Sequence, residues 1–170
     1  MTLERLYTPW RMKYVVSTEK RKEGCVFCNA LDEGVEHDPD NFIVYRGEET
    51  FAIMNIYPYN VGHLMVLPRQ HMSTLIDLSR QAQAEMMALA TYFTEILAEI
   101  MQPDGFNVGI NLGKAAGAGI DAHLHIHIVP RWVGDSNFMP IVGQTRVLPE
   151  ELGDTYKKIV AAINRRPPQL

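Results

Sequence analysis

The chain has 170 residues, 46% of them hydrophobic and 21% charged, with a net charge of −4 and a pI near 5.8. That length fits a single domain able to build a core without staples, and the acidic balance argues against a broad nucleic-acid-binding face. The longest apolar-rich region, near 82–101, is broken by Glu85, Glu95 and Glu99, so no membrane span is expected there.

In chain order, the opening "MTLERLYTPWRMKYVV" is charged and aromatic and lacks the apolar core of a signal peptide, which points to a cytoplasmic protein. Its aromatic content predicts a segment that packs down, with a short helix interrupted before Pro9. Residues 17–24 read as a polar connector. Cys25 and Cys28 form C-x-x-C, a spacing that in a reducing compartment suits a metal site or a redox pair better than a structural disulfide. A short helix should follow and stop at Gly34. "GVEHDPDN" reads as a polar loop with His37 on its surface.

Two strands are expected at 42–47 and 50–55 with a tight turn between them, then the loop "IYPYNVG" and a strongly apolar strand at 63–68. Residues 79–102 form the one long helix. Ser79 is its N-cap, Met86, Ala90, Phe93, Leu97, Ile100 and Met101 make the apolar stripe, and Pro103 and Gly105 stop it. Its methionines, Met87 included, belong with the core. A strand at 105–113, a Gly/Ala loop "KAAGAGIDA", a strand at 122–129, an irregular stretch to "TRVLP" and a helix over about 150–165 complete the chain. There is no internal repeat. Strands before and after one central helix predict an α+β domain with a mainly antiparallel sheet over 1–170. Residues 1–24 form its N-terminal segment, 25–132 the core that carries the motifs, and 133–170 a C-terminal extension.

The chemistry concentrates in "HLHIHIVPRW" at 123–132, where three of six histidines occupy alternate positions. Alternation is the strand period, so His123, His125 and His127 share one face and Leu124, Ile126 and Ile128 the other. On an extended strand His123 and His127 stand roughly 13 Å apart at Cα, too far to converge on one ion with metal–nitrogen bonds of about 2.0–2.1 Å. The three histidines therefore have different tasks. Neutral imidazole is a competent nucleophile near pH 7. The upstream "NLGKAAGAG" offers close backbone approach to an anion, so phosphorus chemistry fits, although a flexible turn is the plainer reading of that loop.

"HLHIHIV" resembles the H-φ-H-φ-H-φ-φ signature of the histidine triad superfamily, and "NVGHLMVLPRQH" and "NLGKAAGAG" are similar to its second strand and phosphate loop. "RLYTPWRMKY" and "PRWVGDSNF" look most like the bacterial diadenosine tetraphosphate phosphorylase branch. The resemblance implies a five-stranded antiparallel sheet, a long helix and a C-terminal helix, assembled as a homodimer. It implies nucleotidyl transfer from dinucleoside polyphosphates by way of a nucleotidyl-histidine. His125 would be the nucleophile, His127 the group at the phosphate oxygens and leaving group, and His63 their support. Asn55 would hold the ribose, Asn111 and residues Gly117, Ala118 and Gly119 the α-phosphate, and Ile43 and Phe51 the base. Ala118 stands where the hydrolase branches place Gln, and one extra residue precedes His123. Inorganic phosphate is the expected acceptor, with water the alternative: a hydrolase of dinucleoside polyphosphates, phosphoramidates or adenylylsulfate.

Zinc-containing members of that superfamily pair a C-x-x-C with two histidines, and the resemblance assigns Cys25, Cys28, His71 and His123 to a structural zinc ion. No organic cofactor is expected. Lys114 and Arg131 flank the expected phosphate site, as neutralising groups or as solvated charge, and Trp132 is a stacking or packing residue. A rival of another class is a non-catalytic, zinc-stabilised nucleotide-binding protein.

Overall fold

The computed structural model describes residues 23–135 and 149–169. The expected helix before Pro9 lies outside them, as does most of the stretch between Pro130 and "TRVLP". Five strands form one sheet: β1 (Ile43–Arg46), β2 (Thr50–Met54), β3 (Leu64–Pro68), β4 (Gly105–Ile110) and β5 (Ile126–Arg131). Their order is β1-β2-β3-β5-β4, every neighbouring pair antiparallel. Among the described residues four α-helices accompany them: α1 (Val26–Asp32), α2 (Asp38–Asn41), α3 (Arg80–Met101) and α4 (Leu152–Arg165). The expected α+β class and antiparallel sheet are thus observed.

Each face of the sheet has its own cluster. On one side Leu89, Phe93 and Leu97 of α3 and Ile159 and Ile163 of α4 pack on Val44, Ala52, Met54, Leu64, Val66, Leu124, Ile126 and Ile128. The 3.6-residue stripe predicted for α3 is this buried face. Ser79 caps the helix as expected, its Oγ accepting from the Ala82 amide at 3.0 Å. On the other side Phe27 of α1 covers Ile43, Phe51, Ile53, Met65 and Leu67. Arg46 ties the α1 end to β1: it is bidentate on Asp38 and donates to the Leu31 and Gly34 carbonyls.

The structure departs from expectation in several places. Met87 of α3, expected in the core, is 58% exposed because it lies off the buried stripe, and β4 ends at Ile110 rather than 113. "GVEHDPDN" is a single 3-10 turn followed by α2, because Pro39 suits a first turn and Asp38 and Asp40 complement its dipole. The last strand starts at Ile126, not 122. Antiparallel register would bring Leu124 opposite Pro68, which has no N–H for a ladder bond, and the Leu124 amide instead donates to the Met72 carbonyl at 2.6 Å. At its far end the strand runs on through Pro130. The Asp104 amide donates to the Arg131 carbonyl, so Pro130 faces the side where β3 has ended, and Asn60 Nδ2 donates to its carbonyl at 3.1 Å.

Candidate active site and metal centre

All three histidines of the motif point to the α1 side of the sheet, and Leu124, Ile126 and Ile128 join the α3 core. His123 and His125 are buried. The row divides into a sulfur-rich end, a middle and an all-nitrogen end.

At the first end, Cys25 caps the start of α1 and Cys28 lies one turn along it, which turns both thiols to His123. The His123 Nε2–H donates to the Pro68 carbonyl at 2.9 Å, so its Nδ1 keeps a lone pair. That Nδ1 is 3.3 Å from Cys25 Sγ, 3.6 Å from Cys28 Sγ and 3.3 Å from His71 Nδ1. All four ligand atoms lie within 4.8 Å of one another and could hold a metal ion. Burial, and then the neighbouring Cys25, push the Cys28 thiol up to about 11, and burial lowers His123. A bound cation would reverse the first effect by favouring thiolate.

His125 occupies the middle. Its Nδ1–H donates to the His123 carbonyl at 2.8 Å, which leaves the Nε2 lone pair as the reactive one. Phe27 stands 5.7 Å from its ring centroid and 5.6 Å from that of His123. His127 meets it edge-on at 4.6 Å.

The far end is a chain of donors. The Tyr59 amide donates to His63 Nδ1 at 3.1 Å, and Asn55 Nδ2 approaches the same atom at 3.4 Å. His63 therefore carries its proton on Nε2 and donates to His127 Nδ1 at 3.0 Å. His127 in turn presents Nε2–H. Burial, with His125 beside it, lowers His127 to about 4, so at neutral pH it is an uncharged hydrogen-bond donor. Asn55 Oδ1 accepts from the Tyr57 amide at 2.9 Å, which fixes the side chain ahead of β3.

Thus the structure gathers His63, His125, His127 and Asn55, and separately Cys25, Cys28, His71 and His123. Asn111 directly follows β4, and Gly117, Ala118 and Gly119 lie in the surface loop beyond it, where Gly113 and Gly117 have φ of +77° and +86°. Ile120 then packs on the Phe27 cluster. Ile43 and Phe51 are 1% and 0% exposed in the cluster that contains Phe27, and Phe27 is an apolar side chain beside His125. Arg131 is bound bidentately to Asp135 and to Asn107, with Asp135 also accepting from Asn60, so it acts as a brace for the loop ahead of β3. Lys114 is solvent-exposed, 4.0 Å from Asp121. Phe27 and Tyr59 were not singled out from sequence. The only signal was their place, Phe27 inside C-x-x-C and Tyr59 four residues before His63.

A single α+β sheet with alternating histidines facing one helix is the class this geometry defines. The HIT domain family model matches residues 36–133. An AP-4-A phosphorylase of Mycobacterium tuberculosis is 38% identical over 169 residues, covering 97% of this chain and 87% of that protein. Among solved structures, a Zn-bound histidine triad family protein from Mycobacterium smegmatis superposes with a TM-score of 0.67 at 28% identity, covering 84% of this chain and 94% of that one. A hypothetical histidine triad nucleotide-binding protein from Sulfolobus tokodaii gives 0.65 at 28% identity, covering 83% and 93%. This chain belongs to the HIT domain family.

Proposed function

We propose that the protein is a nucleotidyltransferase that cleaves dinucleoside polyphosphates, diadenosine tetraphosphate among them, by phosphorolysis. The observation that carries this reading is the fixed tautomer of His125, whose free Nε2 lone pair faces the site while Nδ1–H is held by the His123 carbonyl. The likeness to the mycobacterial AP-4-A phosphorylase supports the substrate. His125 Nε2 attacks the α-phosphorus, the P–O bond to the remaining chain breaks, and ATP leaves with that bond's electrons. The His127 Nε2–H hydrogen-bonds the leaving oxygen without transferring its proton. An oxygen of inorganic phosphate then attacks the nucleotidyl-histidine, the P–N bond breaks, its pair returns to Nε2, and ADP is released. Asn55 holds the ribose, and Asn111 and the amides of 117–119 bind the phosphate oxygens. Electrostatic stabilisation of this kind is lost by about 10²–10³-fold when one good donor is removed.

We assign zinc to the four-ligand cluster. Bonds of about 2.3 Å to sulfur and 2.0–2.1 Å to nitrogen in a tetrahedron imply S···N near 3.5 Å and N···N near 3.3 Å, and the S···N separations of 3.3, 3.4 and 3.6 Å and the N···N separation of 3.3 Å fit them. With four protein ligands the ion has no open position, and when bound it supplies a structural tie between α1 and the histidine segment. A homodimer is the proposed assembly: among the described residues β4 ends the sheet with no strand paired to its outer edge, and it exposes Val108; light scattering should give twice the chain mass.

Product analysis with diadenosine tetraphosphate, with and without inorganic phosphate, tests the reaction. ADP plus ATP formed only with phosphate is the expected result. AMP plus ATP in either case would replace phosphate by water as acceptor. Tight nucleotide binding without turnover would point to a binding protein.

A further inference from the structure

His127 can serve a leaving group only if it presents Nε2–H, and nothing in its own strand decides that. Its Nδ1 is addressed by His63, and His63 by the loop 55–62. That loop is held at both ends. Asn55 Oδ1 accepts from the Tyr57 amide, and Asn60 Nδ2 donates to Asp135 and to the Pro130 carbonyl. Gly62, at φ +77°, completes the turn against Met101 and Pro130, where an added Cβ would fall 2.6 Å from the Met101 sulfur. Between these anchors stands Tyr59. Its amide donates to His63, and its ring lies 4.8 Å from the His63 ring and 5.8 Å from that of His127, tilted 37° to each.

We propose that Tyr59 is a positioning residue: its amide sets the His63 tautomer, and its ring keeps water off the His63–His127 pair, so that His127 is delivered as an Nε2–H donor. As an account of how His127 is readied, the inference rests on the role given to it above. Water reaching His63 or His127 Nδ1 would offer a competing donor and let either ring change tautomer. The ring's plane supplies the cover. Among the described residues, the other groups that the strand register and ring contacts place against His127 are His125 on its own segment, Met65 across β3 and Gly109 across β4, none of them a carboxylate or an ammonium group. Burial therefore governs its titration, and opening the Tyr59 side should raise it toward 6.5.

The test uses the full chain labelled with ¹⁵N-histidine. At pH 7 without substrate, long-range ¹H–¹⁵N spectra should show His63 and His127 each locked with the proton on Nε2. In Tyr59→Ala both signals should move toward tautomer averaging. The kcat for diadenosine tetraphosphate should fall about 10–100-fold with KM little changed, and the acidic limb of the kcat profile should move to higher pH. Tyr59→Phe, which keeps the ring and the amide, should keep both tautomers locked and the acidic limb in place. Locked tautomers or an unshifted acidic limb in Tyr59→Ala would overturn the proposal, as would a wild-type spectrum with the His127 proton on Nδ1, which needs no variant to fold. The spectra require no turnover, so failure of the dinucleotide reading and failure of this one are separately visible.

Discussion

The two ends of the histidine row begin from the same side chain and reach opposite chemistry. At His123 a backbone carbonyl, that of Pro68, takes the Nε2 proton and turns Nδ1 into a ligand facing two thiols. At His63 a backbone amide, that of Tyr59, takes the Nδ1 lone pair and turns Nε2 into a donor that passes the same polarity to His127. The difference is set by one peptide group, a C=O at one end and an N–H at the other. Imidazole's role is thus assigned by its second nitrogen.

Variants should separate the ends. The largest effect belongs to the middle: His125→Ala should lower kcat by more than about 10³-fold and abolish acid-labile, alkali-stable labelling by α-³²P substrate, while nucleotide binding by calorimetry persists. Retained turnover would remove His125 as nucleophile. At the metal end, Cys28→Ser should release the ion, read by elemental analysis. It should cost about 2.7 kcal/mol if the ion is held at 100 times its Kd, or roughly 5–11 °C in Tm for a chain of this size. Its acidic kcat limb should stay in place, the opposite of the effect expected for Tyr59→Ala.

A pH series sharpens the contrast further. His127 lies near 4 in the folded chain against 6.5 ordinarily, so between those values the unfolded chain binds the extra proton. This contribution to stability is complete above about 6.5 and is lost as pH falls toward 4. Urea midpoints at pH 7 and 5 should therefore converge in His127→Asn relative to the wild type. An unchanged gap would place the proton elsewhere. The smallest effect is expected away from both ends, at the α3 cap: Ser79→Ala should cost about 1 kcal/mol and leave kcat unchanged.

Much of this arrangement was legible in the sequence because it follows side-chain period. Alternation at 123–128 fixed which residues face α3 and which face α1, and a 3.6-residue stripe with Ser79 ahead of it gave α3 nearly residue for residue. What period does not carry was missed. The start of β5 depends on Pro68 in another strand, and the turn at Asp38–Asn41 is too short to show a stripe. That Ile43 and Phe51 share one cluster with Phe27 of α1 is a matter of three-dimensional packing, which no residue period carries. The bond from Tyr59 to His63 uses its amide, a group that every residue except proline possesses.

His123 has a further consequence. Its imidazole looks toward the thiols, and its carbonyl looks toward His125. Any substitution at 123 deletes the first function and retains the second, since the peptide is common to all residues. Side-chain scanning will therefore miss half of what this position does, which is to hold the His125 ring through its carbonyl. Only replacing the 123–124 amide by an ester, which weakens that carbonyl as an acceptor, would bring the hidden half to light.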